Sequence, residues 1–390
     1  MALVYVHGIG NRRGDAYAEA TDVRDGLFRT LFLPTVFPGN QDALIINPYW
    51  GDHGGKPRWD LASVDLATVE RLGAGPGVTA EIVAAGAASS TGADAVLLAI
   101  ARISLRDAVD ALYSIVTADQ ASLPELIAFA GRAVKYCRTS ENLAPYRSEV
   151  ERHPWLLRVR DDLSLIDHLI KVTTEDEDTT VEILGGASAL RNRFASAVSA
   201  LKRAAVANVT EPAVTAVRRR LGDRFAAFFG DITGYLAQRG TKDEPGPIPA
   251  VVADAIEQAA DVDEPVVVVA HSMGGNIVHD LLTHFRADLR VDVLVTVGSQ
   301  VGLFEELKLF HASDPAITGD NGGRALTPAG VGHWINVVDI ADPLSFRVGP
   351  VFDRAVDYVY ASGAVWAHTA YLRQPNFHER LARKIVEVLG

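Results

Sequence analysis

Residues 266–282, VVVVAHSMGGNIVHDLL, run from four consecutive valines into His-Ser-Met-Gly-Gly and then into apolar residues at helical spacing. An unbroken β-branched run of this length suits a strand covered on both faces. The helical spacing that follows predicts a sharp strand-to-helix turn at Ser272. A serine at such a turn either caps the helix or serves as a nucleophile held in a strained backbone conformation with its hydroxyl projecting above the sheet. The second role needs small residues two positions before and two after. Ala270 and Gly274, with Gly275 behind, meet that need, although alanine stands where the commoner pattern has glycine.

Working outward, ALVYVHG at the start and VDVLVTVGS at 291–299 repeat the pattern of an apolar run closed by small or polar residues. DALIINPYW (42–50), HWINVVDIAD (333–342) and AVDYVY (355–360) read as three further strands. Helical patterns lie between them at about 15–33, 248–260, 274–287 and from 376. Alternation of this kind predicts an α/β fold with a mostly parallel central sheet flanked by helices. Residues 55–229 break the alternation, being helical in pattern and rich in Ala, Leu and Arg. We read 1–54 and 230–390 as the core and 55–229 as an all-helical insertion forming a cap. The acidic run 175–178 within it reads as a solvated loop rather than a metal site.

The 37 basic and 49 acidic residues leave a formal charge of −12, which argues against nucleic acid or an anionic membrane as an electrostatic partner. A neutral or apolar small molecule remains suitable, and no protein partner is indicated. The single cysteine, Cys137, forms no intramolecular disulfide and is expected to be buried and inert. Met1 leads straight into the first strand without a basic leader or cleavage site, so the expected location is cytoplasmic. The Ala-rich stretch 80–105 is interrupted by Glu81, Asp94 and Arg102, leaving pieces well short of the roughly 20 apolar residues of a membrane span.

A serine hydroxyl is a poor nucleophile without a base, a group to orient that base and donors for the developing oxyanion. VYVHGIGN (4–11) supplies a strand followed by His-Gly, in which Gly8 and Gly10 let the chain turn its amides inward. The expected oxyanion donors are the backbone N–H groups of Ile9 and of Met273, with His7 bracing the loop. A phosphate-binding loop is the competing reading, but HGIGN lacks both the lysine and the longer glycine spacing of such loops. For the acid, Asp339 and Asp342 both lie at the carboxyl end of a predicted strand, where sites in open sheets gather. We favour Asp342, in a loop stiffened by Pro343, over Asp339, which shares the face of Ile335 and Val337. For the base, His368 in AHTAYL follows the last strand, and the order Ser272, Asp342, His368 suits a hydrolase triad. His378 is the rival, expected to be exposed in the first turn of the final helix. His271 is expected to point away from the serine.

These residues resemble the α/β-hydrolase superfamily, and its lipase-like and esterase-like members in particular. VYVHGIGN, VVVVAHSMGG, VTVGSQVG, VVDIADPLS and AHTAYL carry the likeness over about 1–54 and 230–390, leaving the insertion unmatched. The resemblance implies a minimal form of that sheet, because the chain begins directly at the oxyanion strand. It also implies hydrolysis of carboxylic esters, including lipid-like acyl esters, through a covalent acyl-enzyme and without metal or organic cofactor. Ser299 and Gln300 are expected beside the pocket. An acyltransferase or a peptidase would use the same triad, and a hydrolase-fold binding module would leave the site idle.

Overall fold

The computed structural model describes residues 2–39, 43–56, 95–116, 123–174, 189–199, 228–262, 265–362 and 367–390. Contacts divide the chain into two units. One comprises Met1–Tyr17, Asp42–Arg71 and Val209–Ala361, the other Ala18–Gln41, Leu72–Asn208 and Ser362–Gly390.

The first unit is built on six strands: β1 (Ala2–Val6), β2 (Leu44–Ile46), β3 (Val266–His271), β4 (Val291–Val297), β5 (Val331–Val338) and β6 (Ala355–Val359). All six match strands expected from sequence. Every pairing is parallel, in the order β2-β1-β3-β4-β5-β6. The register sets Val6 beside Ala270 and His271 beside Val297. Ala2, Val4 and Val6 join Val266, Val268 and Ala270 in one core with the helices Pro247–Ala260, Met273–Asp280 and Val301–Glu306. The alternate residues Leu3, Val267, Val269, Val293 and Val295 are also fully buried. Burial of both faces explains why these strands read as continuous valine runs rather than as an apolar-polar alternation. The expectation of a mostly parallel sheet therefore becomes a wholly parallel one.

That order places a reversal between β1 and β3. The chain leaves β1 for β2 on one side and later returns to β3 on the other. Ligands in open parallel sheets bind in the crevice beyond the carboxyl ends of strands that diverge in this way. Here those ends carry His7–Gly10 and Ser272.

The described residues of the second unit are helical, with Val96–Ile103, Leu105–Ile115, Leu123–Leu143, Asp162–Thr174 and Pro375–Leu389 as its main elements. Leu105, Val109, Phe129, Leu165, Leu169 and Phe194 are central to its core. Ends of these helices are closed by side chains. Ser104 Oγ accepts from Asp107 N at 3.2 Å, and the fully buried Asp162 carboxylate accepts from Val96 N and Leu98 N. Each bond satisfies an amide that the helix cannot. Cys137 is buried in this core, and desolvation pushes its thiol well above the ordinary range, so it carries no thiolate chemistry. His378, expected to be exposed, is instead fully buried. Its Nε2 lies 3.0 Å from Leu372 O, its ring meets Phe28 edge-on, and burial lowers its pKa to about 4. The acidic run 175–178 and residues 80–94 lie outside the described residues. Among the described residues, no helix is long and apolar enough to cross a membrane.

A second histidine is buried in the first unit. The His279 ring packs against Phe310, Phe352 and Trp334 at centroid distances of 4.3, 5.1 and 5.7 Å, and neither nitrogen has a hydrogen-bond partner. Desolvation lowers its pKa to about 4, against the opposing pull of Asp280. The unfolded chain thus takes up a proton near pH 6.5 that the folded chain refuses until about pH 4. The stability from neutral His279 is complete above that window and is lost as the pH falls through it. Urea unfolding across the window should show wild type losing on the order of 3 kcal/mol relative to His279→Phe. Parallel pH curves for the two proteins would exclude His279 as the cause.

Candidate active site

Ser272 links β3 directly to the helix Met273–Asp280 and has φ 53° and ψ −125°. Such a conformation is unfavourable for any residue with a Cβ and persists only when neighbouring structure enforces it. The enforcement is visible. Ser272 N donates to Val297 O at 2.9 Å, and Ser272 O accepts from Gly275 N and from Ser299 Oγ, both at 3.0 Å.

Three glycines make room for this turn. A Cβ at Gly8 would come within 2.7 Å of Ser272 Cβ, and one at Gly274 would meet Val6 O at 2.5 Å and His7 O at 2.8 Å. A Cβ at Gly275 would overlap the Ser299 hydroxyl. Ala270, the small residue before the turn, directs its methyl into the core shared with Val6 and Met273, so one methyl is accommodated there. The close approach of β1, β3 and the following helix therefore accounts for the small-residue spacing read from the sequence.

The loop after β1 is braced from two sides. Trp50 N donates to His7 Nε2 at 3.2 Å, which leaves the imidazole proton on Nδ1, 2.7 Å from Gly8 O. The indole of Trp50 stacks on His7 at 4.7 Å and donates to His7 O at 2.9 Å. His7 and Trp50 together fix the start of the loop. The far side of the loop is held by Asp231, on the helical segment 228–238. Its fully buried carboxylate accepts from Gly10 N at 2.8 Å and Gly55 N at 2.7 Å and pairs with Arg12 at 2.6 Å. Gly10 itself has φ 72°, where a side chain would be strained. Among the described residues, neither the Ile9 nor the Met273 N–H has a backbone acceptor.

Ser299 and Gln300 do more than stand beside the site. Both are buried, and besides the Ser299 bond to Ser272, Gln300 Nε2 donates to Gly298 O at 3.0 Å and to Leu344 O at 2.6 Å. Asn276, on the helix Met273–Asp280, donates to Gln300 Oε1 at 3.3 Å. The end of β4 thereby ties the serine turn to the loop 339–345. In that loop both candidate acids are buried. Asp339 Oδ1 accepts from Ala341 N and Asp342 Oδ1 from Leu344 N, so each carboxylate shapes its own turn. His271 closes β3 and is buried.

Ser272, the His7–Gly10 loop, Met273, Asp339 and Asp342 belong to the first unit. His368 belongs to the second, where it is buried on the short helix Ala367–Ala370. Among the described residues, no three His, Cys, Asp or Glu side chains converge as ligands for a metal. Comparison of the chain with protein-family models, curated proteins and solved structures gives no match.

Two changes test the braces. Gly274→Ala should lower unfolding stability by about 1–3 kcal/mol, because the added methyl meets backbone oxygens that cannot swing away; an unchanged urea midpoint would contradict the close approach. Asp231→Asn should raise hydrogen exchange at the Gly10 amide by at least about tenfold, since a charged acceptor shared with Arg12 becomes a neutral one. Unaltered exchange in residues 8–12 would assign the loop's order to His7 alone.

Proposed function

We propose that this chain is a serine hydrolase of the α/β-hydrolase type that cleaves carboxylic esters through a covalent acyl-enzyme. The observation that carries this reading is the left-handed backbone of Ser272 at the reversal point of the sheet, between two glycine-bearing loops. A capping serine needs no such strain, since an N-cap residue normally adopts extended dihedrals and bonds to its helix through its side chain. Ser272 makes no side-chain cap bond.

In the proposed reaction Ser272 Oγ attacks the acyl carbon while His368 accepts its proton. Asp342, with Asp339 as the rival, stabilises the imidazolium that forms. The amides of Ile9 and Met273 receive the oxyanion, and donors of this kind are worth about 3–4 kcal/mol each in the transition state. The imidazolium then protonates the leaving alcohol, and water activated by the same imidazole releases the acid and restores Ser272. The helical unit would serve as a cap that selects the acyl group.

Labelling with a fluorophosphonate probe tests the reading. Wild type should react, Ser272→Ala should not, and His368→Ala should react at least about 10⁴-fold more slowly. Asp342→Ala and Asp339→Ala, compared in the same assay, identify the acid by the larger loss. Hydrolysis of p-nitrophenyl esters of increasing length then gives the acyl preference. Labelling that survives in Ser272→Ala, or none in a folded wild type, would refute the assignment.

A further inference from the structure

The helical unit contains a cavity of about 170 Å³ whose wall is cationic. Arg132, Lys135, Tyr136 and Ser140 come from one face of the helix Leu123–Leu143, and Arg152 and His153 from the end of the short helix Glu149–Arg152. No carboxylate lines it.

The polar groups at its base are already satisfied by one another. Trp155 Nε1 donates to Tyr136 Oη, which lies 3.2 Å from His153 Nδ1. His153 Nε2 lies 3.0 Å from Ser140 Oγ, whose own proton goes to Cys137 O. This sequence of bonds places the histidine proton on Nε2 and leaves the ring neutral, in keeping with the downward shift that burial imposes on its pKa. The charge of the cavity therefore belongs to the two arginines and the lysine.

Of those three cations, one is paired among the described residues and two are not. Arg152 pairs with Glu149, which also lies 3.7 Å from His153 and accepts from Leu105 N. Among the described residues, Arg132 and Lys135 have no acidic partner within salt-bridge distance. An arginine and a lysine without a carboxylate partner leave the wall of the cavity with uncompensated positive charge, which a bound anion would neutralise. In a chain of net charge −12 this concentration of positive charge is local, not a general property of the surface.

We propose that the cavity binds a phosphate group. Two guanidinium groups and an ammonium group around one cavity suit a tetrahedral dianion, which accepts from several directions at once, better than a carboxylate, which is matched by a single planar fork. The proposal is independent of the ester hydrolase reading, because none of its residues takes part in that chemistry.

Thermal unfolding of the full chain in low-salt buffer tests it, with inorganic phosphate, glycerol 3-phosphate and acetate as separate additions. At about 10 mM, inorganic phosphate should raise Tm by about 2 °C, and acetate by much less. The shift should vanish in Arg132→Gln/Lys135→Gln. A larger shift with glycerol 3-phosphate would assign a phosphate ester, and equal shifts the free anion. No shift in wild type, an equal shift with acetate, or the full shift in the double variant would overturn the proposal. Lys135→Gln alone, at an exposed position, replaces the double variant if that protein does not fold, and an undiminished shift there would count equally against the site.

Discussion

The left-handed backbone at Ser272 is the constraint on which the first unit is organised. A residue with a Cβ does not adopt φ 53° on its own account, so the surrounding structure must hold it there. Val297 O and the Ser299 hydroxyl fix its peptide groups from the end of β4, while Gly8 and Gly274 allow β1 and the helix Met273–Asp280 to close on it. A methyl at either glycine would force these segments apart. The pleat that brings Val6 beside Ala270 thus also determines which residues on both strands must be small.

The loop after β1 shows a different solution to the same need for order. It has too few residues to form regular structure, so its geometry is imposed through side chains from distant segments. Trp50 orients His7 by stacking and by two hydrogen bonds, and Asp231 gathers the Gly10 amide, the Gly55 amide and Arg12 around one buried carboxylate. A charged acceptor with several donors holds backbone more firmly than a neutral one. The loop is consequently ordered although its glycines are permissive. That is the condition under which backbone amides act as preorganised donors.

Buried polar groups fall into two contrasting kinds. Asp162 and Asp231 are buried with their hydrogen bonds complete, and each secures a backbone segment. His279 is buried with none, and it remains neutral because charging it would mean placing an unsolvated cation among aromatic rings.

By itself the sequence determined the local elements. All six strands are legible because burial on both faces leaves continuous apolar runs, and Ser272 stands out because its turn restricts Ala270, Gly274 and Gly275 to small residues. Those signals are short-range: each reports the environment of its own segment. The tertiary structure alone decided the strand order and the pairing of Asp231 with a loop more than two hundred residues away. It likewise decided the bond from Trp50 to His7 and the burial of His378, which its place in a first helical turn had suggested was exposed. The cationic cavity emerged only when the 123–143 helix met the end of the short helix Glu149–Arg152. Such partnerships arise from chain closure and packing between separate elements, and a lone aspartate, tryptophan or histidine carries no periodicity that would announce its partner.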